Sequence, residues 1–274
     1  MEKITKVWSV YFTGTGNTQK MVRAVAKAAC ETLGCAYEEY DFSLPAARAD
    51  ELAFADTDLV VFGTPVYAGR VPNVLLPYLT KNIKGNGALA IPVVTYGNRN
   101  FDDGLMELRN LMLANGLTPI AGGAFVGEHS FSTTLGAGRP DAGDMALANE
   151  LGEKAAKKIL SDAVNSPVTV EGEDPIRTYY TPRDRNGNPI NILKVKPKTD
   201  TDKCINCGLC ARICTMGSID PRDVTSVTGI CIKCCACVKR CPKGAKYYDD
   251  EGYLYHQHEL EDIYARRGES KIFL

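Results

Sequence analysis

The sequence lacks any clear excess of charge of one sign. It has 32 basic and 33 acidic residues and a net charge of −1, so nothing electrostatic favours a nucleic-acid or membrane-surface partner. Apolar runs such as Asp58–Gly63 and Ala88–Val94 are much shorter than the ~20 residues that cross a bilayer. Residues Met1–Lys6 are polar and lack the apolar core of a secretory signal. We therefore expect a cytoplasmic protein without membrane insertion.

Cysteine is scarce over most of the chain. Residues 1–203 contain only Cys30 and Cys35, whereas nine of the 11 cysteines lie between Cys204 and Cys241. An even spread would be compatible with disulfides, but dense clustering in an intracellular chain indicates metal ligation. Cys30 and Cys35 fall on a predicted helix and at the next strand, and we expect them to be core residues or free thiols.

The length of 274 residues suggests about two domains. Residues 1–165 alternate apolar runs with helical patterns, which predicts a parallel sheet covered on both faces. The predicted strands are Lys6–Phe12, Asp58–Gly63, Ala88–Tyr96 and Leu117–Gly127. The predicted helices are Thr18–Leu33, Val71–Asn82, Phe101–Asn115 and Asp141–Val164.

The remaining residues divide into three parts. Residues 166–198 are rich in proline, and Asn186-Gly187 could turn a hairpin between Ile176–Thr181 and Ile190–Val195, so we predict a linker with some structure of its own. Residues 199–250 hold an internal repeat and form the second domain. Residues 251–274 are predicted to be a tail with a short helix at Glu259–Arg267. We expect the tail histidines, His256 and His258, to be solvated.

The repeat consists of two cysteine motifs of identical spacing, C-x2-C-x2-C-x3-C, offset by 27 residues because 231 − 204 = 27. This spacing is typical of two [4Fe–4S] clusters in which the fourth cysteine of each run ligates the other cluster. The first predicted ligand set is Cys204, Cys207, Cys210 and Cys241, and the second is Cys231, Cys234, Cys237 and Cys214. The alternative is zinc, which usually takes two C-x2-C units per ion and fits two complete four-cysteine runs less well.

The segment resembles a two-cluster bacterial ferredoxin over some 50 residues, which implies a small α+β domain. One position departs from that family. Cys241 is followed by Pro242, as the family pattern expects, but Cys214 is followed by Thr215. The ligand is intact, and the departure bears on the potential of the second cluster. Cys235 aligns with Gly208, so we interpret it as a non-ligand beside a cluster.

A second motif, Thr13-Gly14-Thr15-Gly16-Asn17-Thr18, lies between the first predicted strand and the first predicted helix. Backbone N–H groups at a helix N-terminus can hold a phosphate, and the hydroxyls of Thr13, Thr15 and Thr18 and the Asn17 amide add donors. The loop is neither a Walker A motif nor a dinucleotide turn, because it lacks the Gly-Lys ending and the third glycine. It suits a small phosphomonoester.

This loop resembles the phosphate loop of flavodoxins. The resemblance implies FMN and a doubly wound, five-stranded parallel sheet with FMN at its topological switch point. It also implies two loops against the flavin ring, made of Pro65, Val66, Tyr67, Ala68 and Gly69 and of Thr95, Tyr96, Gly97, Asn98, Arg99 and Phe101. Tyr67 matches the aromatic residue that flavodoxins place on the ring. Arg99 could instead pair with Asp102 or Asp103.

Flavodoxin–ferredoxin fusions of anaerobic bacteria are also similar at Glu128–Phe131 and Gly138–Asp141, so the resemblance spans nearly the whole chain. It implies an electron carrier that passes low-potential electrons between the clusters and FMN and on to a redox protein partner. The alternative is a flavin-dependent oxidoreductase that reduces a quinone or another small acceptor, and a redox-sensing or assembly module is a third hypothesis. No catalytic residue is predicted, and we expect His129 to form structural hydrogen bonds.

Overall fold

The computed structural model describes residues 3–164 and 167–274. The strands are β1 (Lys6–Tyr11), β2 (Ala36–Asp41), β3 (Leu52–Ala53), β4 (Asp58–Pro65), β5 (Ile83–Lys84), β6 (Leu89–Tyr96), β7 (Thr118–Pro119), β8 (Gly122–Val126), β9 (Lys198–Thr199), β10 (Lys246–Tyr247) and β11 (Lys271–Phe273). The helices are α1 (Asn17–Leu33), α2 (Leu76–Lys81), α3 (Gly104–Ala114), α4 (Ala142–Leu160), α5 (Leu209–Arg212), α6 (Ala236–Lys239) and α7 (Glu251–Ile263), with 3₁₀ turns at Pro45–Arg48 and Asn73–Leu75. The predicted boundary between residues 165 and 166 lies outside the described residues.

The main sheet has the order β11-β8-β6-β4-β1-β2, with β7 also paired to β6. The five strands from β8 to β2 are mutually parallel. Their order, counted along the chain, is 2-1-3-4-5, which is the flavodoxin-like doubly wound arrangement. The central strands β4 and β6 are buried along almost their whole length because helices cover both faces.

Successive residues of β4 point into two different cores, one on each face of the sheet. Leu59 and Val61 belong to the core that includes residues of α1 and α4. Val60 and Phe62 belong to the core on the other face, which includes residues of α2 and α3. Helices α1 and α4 approach each other closely at Gly152, where an added Cβ would overlap the carbonyl oxygen of Val25. A side chain at this position would therefore separate the two helices.

Two predicted elements are shorter or more broken than the sequence pattern suggested. The predicted helix Val71–Asn82 is a 3₁₀ turn followed by the six-residue α2, with Pro77 in its first turn. The predicted strand Leu117–Gly127 divides into β7 and β8, which pair with separate stretches of β6. β7 ends at Pro119, and the next amide, that of Ile120, still donates to the Ala90 carbonyl oxygen of β6 at 2.9 Å.

Residues 251–274 are not the tail that the sequence suggested. The helix begins at Glu251, where the Asp250 carboxylate caps it by accepting a hydrogen bond from the Tyr253 amide. The chain then returns to the flavodoxin-like domain, and β11 pairs antiparallel with β8. This adds a sixth strand beside the predicted five. A strand of three residues is too short to show an alternating pattern.

Residues 168–180 also lie against the flavodoxin-like domain, while Leu193 and Lys196 bond to the cysteine-rich part. The predicted hairpin is reduced to one bridge between Arg183 and Pro189 around the Asp184–Gly187 turn, and the described residues show no ladder between Ile176–Thr181 and Ile190–Val195. The anchor of the segment is Asp103, at the start of α3. Its buried carboxylate accepts hydrogen bonds from the amides of Glu173 and Arg177 and from the Arg177 guanidinium.

Replacing Asp103 by asparagine should release this segment. The Arg177 guanidinium holds the pKa of Asp103 at about 2, and a neutral amide cannot accept the same paired, charge-assisted bonds. We expect faster proteolytic cleavage near residues 173–185 in Asp103→Asn, with Glu173→Gln, a change at an exposed neighbour, as the control. The wild type should show the same effect as the pH falls from about 4 towards 2, because the stabilising ionised form is then lost. Equal cleavage rates in the three proteins would contradict the anchoring role.

The cysteine motifs lie in a small unit built from β9, β10, α5 and α6. Strands β9 and β10 pair antiparallel, and each short helix follows a residue in the left-handed region, Gly208 at φ 69° and Cys235 at φ 58°. The backbone therefore has the same local conformation before the short helix in both halves of the repeat. Within the described residues, no helix has both the length and the apolar character needed to cross a membrane.

Candidate functional site

The structure brings the eight predicted ligand cysteines into two separate groups. One cavity is lined by Cys204, Cys207, Cys210 and Cys241. A second cavity is lined by Cys231, Cys234, Cys237 and Cys214. Each group contains three cysteines of one motif and the last cysteine of the other, as the crossed pattern predicts. We call these groups set one and set two.

The geometry of each set fits a cluster better than a single ion. Among the described residues, no three His, Cys, Asp or Glu side chains converge closely enough to hold one metal ion, although the cysteines of each set face a common cavity. A [4Fe–4S] cluster places its four ligands around a cube, whereas zinc draws them to one point. The fourth cysteine of each motif also accepts a backbone hydrogen bond. The Ser218 amide donates to Cys214 Sγ at 3.3 Å, and the Ala245 amide donates to Cys241 Sγ at 3.2 Å.

Cys235 lies beside set two, and its thiol makes contacts within the protein. It is buried, its Sγ lies 3.3 Å from the Lys233 carbonyl oxygen and 3.5 Å from the Tyr253 hydroxyl, and burial raises its pKa to about 12. Its left-handed backbone matches that of Gly208. These contacts agree with a non-ligand role, although the thiol borders the cavity of set two.

The loop from Thr13 to Thr18 connects β1 to α1. Its conformation is fixed by bonds from the Thr13 amide to Ser43 Oγ and from the Gly16 amide to Thr13 Oγ1. Thr18 is buried and hydrogen-bonded to Thr95 at 2.7 Å. By contrast, Gly14 and Thr15 make no hydrogen bond within the described part of the chain. Their amides, next to the N-terminus of α1, are the donors that an anion would use.

The two predicted ring loops follow β4 and β6 at the same sheet edge as this loop. Pro65, Val66 and Tyr67 are half-buried, Ala68 is exposed and Gly69 is buried. Burial raises the pKa of Tyr67 well above its ordinary value, and the nearby sulfur of Cys234 adds to the rise. A Cβ added to Gly14 would lie 3.5 Å from the Tyr67 hydroxyl, so this hydroxyl lies close to the loop from Thr13 to Thr18.

The second ring loop is held by the C-terminal part of the chain. The Tyr96 hydroxyl donates to the Glu269 carbonyl oxygen at 2.5 Å, and Tyr96 packs against Phe101. The side chain of Asn98 is buried and bonds to the backbone of Tyr264, Arg266 and Gly268. The polar groups of the Tyr96 and Asn98 side chains are therefore hydrogen-bonded to other parts of the protein. Thr95 pairs with Thr18, as described above.

Arg99 and His129 make contacts that bear on their predicted roles. Arg99 pairs with Asp102 and lies over the Tyr180 ring. This matches the alternative in which Arg99 pairs with a nearby aspartate instead of the flavin. The His129 ring lies against Gly97, and its Nδ1 accepts a hydrogen bond from the Phe131 amide at 3.1 Å. Burial lowers the pKa of His129 to about 4. A neutral, hydrogen-bonded imidazole fits the structural role.

The phosphate loop touches set two directly. A Cβ added to Gly14 would lie 2.9 Å from Cys234 Cβ and 3.1 Å from the Cys234 carbonyl oxygen. Nearby, the Arg48 guanidinium donates to the carbonyl oxygens of Phe42, Ser43 and Thr215. Residues beside the loop are thereby joined to the backbone that follows Cys214. Only a residue without a side chain fits at position 14.

A family model described as a 4Fe-4S binding domain matches residues 197–220. The chain joins a flavodoxin-like fold to a 4Fe-4S binding domain. The match supports an electron-transfer role. No curated protein matches the sequence.

Solved structures similar to the chain include a flavodoxin from the domain Archaea, with 13% identity over 57% of this chain and 99% of that one, at a TM-score of 0.42. Flavodoxin 2 from Bacillus cereus is similar at 12% identity over 56% and 99%, with a TM-score of 0.41. Rubredoxin oxygen:oxidoreductase from the anaerobe Desulfovibrio gigas is similar at 13% identity over 58% and 37%, with a TM-score of 0.41.

Several residues at the junction between the 4Fe-4S binding domain and the flavodoxin-like fold were missed by sequence reasoning. Lys239 on α6 pairs with the Glu128 carboxylate at 2.5 Å and also donates to the Ser132 carbonyl oxygen. Arg48 and Ser43 lie in a loop without a recognisable motif. A lone charged residue carries no signal of its partner in sequence, so these contacts could be found only from the fold.

The prediction for His256 was wrong. Its side chain is 6% exposed and lies near the rings of Phe131 and Tyr180, and its Nδ1 has no hydrogen-bond partner among the described residues. His258 is exposed, as expected. The difference follows from helical spacing, because His256 shares the buried face of α7 with Tyr253 and Leu260.

Proposed function

We propose that this chain transfers low-potential electrons between two [4Fe–4S] clusters and FMN, and passes them on to a redox partner protein. The observation that carries the proposal is the contact of Gly14 with Cys234. It joins the loop that would hold the FMN phosphate to a cysteine that would hold the second cluster. Two redox centres held this close favour exchange of electrons within one chain.

In this proposal set one and set two each hold one [4Fe–4S] cluster. The amides of Gly14, Thr15 and Asn17 and the hydroxyls of Thr13 and Thr15 would bind the FMN phosphate, whereas the predicted donor Thr18 is buried and pairs with Thr95 instead. Backbone groups of the loops at 65–69 and 95–99 would contact the ring, with Tyr67 on the side of set two. FMN supplies the ability to exchange one or two electrons, whereas each cluster exchanges one.

The protein's own contribution is to fix these positions and to exclude water between them. Lys239 and Glu128 hold α6 against the loop that follows β8, and Arg48 holds the backbone at Thr215. Cys234 and Tyr67 occupy the contact between the two domains. Electrons would enter at set one, whose Cys207 is exposed, and leave for the partner through the flavin, or travel in the reverse direction.

An electron carrier is favoured over an enzyme acting on a quinone or another small acceptor. The Ala68 carbonyl oxygen accepts a hydrogen bond from the Tyr180 amide, and Asn98 is bonded to residues 264–268. Other segments are therefore hydrogen-bonded to both predicted ring loops. Repeated turnover of a quinone by the reduced holoprotein would instead support the enzyme.

The cofactor content is the first test. Anaerobically purified protein should contain FMN and about eight iron atoms per chain, as expected for two cubane clusters. Iron and sulfide analysis together with flavin extraction measures both. About four irons, or a different flavin, would contradict the proposed set of cofactors.

A further inference from the structure

In both halves of the repeat, a backbone amide donates a hydrogen bond to the fourth cysteine of the motif, which belongs to the set of the other half. The Ser218 amide donates to Cys214 Sγ, and the Ala245 amide donates to Cys241 Sγ, at 3.3 and 3.2 Å. The donors are 27 residues apart (245 − 218), which is the offset of the repeat. These backbone bonds are a shared property of the two halves, so they do not distinguish the clusters.

Among the described residues, hydroxyl groups, by contrast, contact only one of the two sets. Thr215 Oγ1 lies 3.5 Å from Cys234 Sγ, and the Tyr248 hydroxyl lies 3.5 Å from Cys231 Sγ. The equivalent positions at the 27-residue offset are Pro242 and Pro221, which have no hydroxyl. In the described part of the chain, no hydroxyl is hydrogen-bonded to a sulfur of set one.

Both hydroxyls are buried and held in place. Thr215 is 2% exposed, and the Arg48 guanidinium binds its carbonyl oxygen at 2.7 Å. Tyr248 is 9% exposed and stacks on Tyr253 with ring centroids 4.2 Å apart. Neither hydroxyl has another hydrogen-bond partner among the described residues. A cysteine that ligates iron has lost its proton, so in each pair the hydroxyl must be the donor.

We propose that Thr215 and Tyr248 tune the cluster of set two by donating hydrogen bonds to Cys234 and Cys231, which raises its reduction potential. Reduction adds negative charge to the cluster and its thiolates, and a donor to sulfur stabilises the added charge. Burial has the opposite effect, and Cys237 is 8% exposed. Cys207 of set one is exposed, so the two hydroxyls would keep the more buried of the two clusters reducible. This inference rests on the proposed function.

The test uses the complete holoprotein in redox titrations followed by electron paramagnetic resonance. Thr215→Val and Tyr248→Phe each remove one hydroxyl with almost no change of shape. Each should shift one and the same cluster to more negative potential and leave the other cluster in place. Thr215→Ser keeps the hydroxyl and should restore the wild-type potential. Tyr247→Phe, at an exposed neighbour, is the matched control for Tyr248→Phe.

The outcomes separate the two proposals. If both clusters load and neither Thr215→Val nor Tyr248→Phe shifts a potential beyond that of Tyr247→Phe, the tuning role is overturned and the proposed function stands. If the two variants shift different clusters, the assignment to set two is overturned. Should Thr215→Val not load, the isosteric Tyr248→Phe decides alone. About four irons in the wild type would overturn the proposed function itself.

Discussion

Replacing Cys234 by alanine should lower the iron content from about eight to about four atoms per chain and abolish reduction of the flavin by the iron–sulfur part. Cys234 is both a member of set two and the residue that touches Gly14. Under the proposed function, its loss would remove the cluster nearest to the loop from Thr13 to Thr18, so electrons at set one would have no intermediate centre. Iron analysis and absorbance changes after anaerobic reduction measure the two effects.

The adjacent cysteine supplies the matched control. Cys235→Gly should keep about eight irons, because the Cys235 thiol contacts Lys233 and Tyr253 and glycine suits its left-handed backbone. Cys207→Ser should damage the cluster of set one and leave flavin binding in place. A Cys235→Gly protein that loses iron as Cys234→Ala does would make Cys235 a ligand and reject the present sets.

Replacing Gly152 by valine should destabilise the flavodoxin-like domain by about 3 kcal/mol or more. A Cβ on Gly152 would overlap the carbonyl oxygen of Val25 and lie 3.0 Å from the Ala29 amide nitrogen. These are backbone atoms of α1, which cannot move aside as a flexible side chain would. Chemical denaturation of the anaerobic holoprotein measures the change in the free energy of unfolding.

The control for this substitution lies in the same helix. Gly143 is exposed near the start of α4, and an added Cβ would meet only the Asp141 carboxylate at 3.3 Å. Gly143→Ala should therefore change stability by no more than about 1 kcal/mol. Equal stability of Gly152→Val and Gly143→Ala would show that the two helices do not approach as closely as described.

Much of the fold is predictable because its signals are local. β4 and β6 appear in the sequence as continuous apolar runs, since strands covered on both faces have no polar side. The spacing of the repeat also predicts which cysteines share a cavity, and the two cavities are lined by these groups. The loop from Thr13 to Thr18 lies between β1 and α1, where the sequence predicts it.

The rest depends on contacts between distant parts of the chain. The position of Asn98 after β6 predicts a place in a flavin-binding loop, but its side chain forms hydrogen bonds with the backbone of residues 264–268. The partner of Lys239 is Glu128, 111 residues away. In the sequence, Thr215 differs from the ferredoxin pattern only by replacing a proline, whereas in the structure its hydroxyl lies 3.5 Å from Cys234 Sγ. No local pattern encodes such pairings.

The antiparallel pairing of β11 with β8 has a consequence for biosynthesis. Both cysteine motifs lie between these two strands in the chain, so they are translated after β8 and before β11. Until β11 emerges from the ribosome, the outer edge of β8 has unpaired backbone groups that invite aggregation. A cysteine-rich segment that folds slowly would therefore leave the β8 edge open for longer, which links the solubility of the new chain to the folding of the part between these two strands.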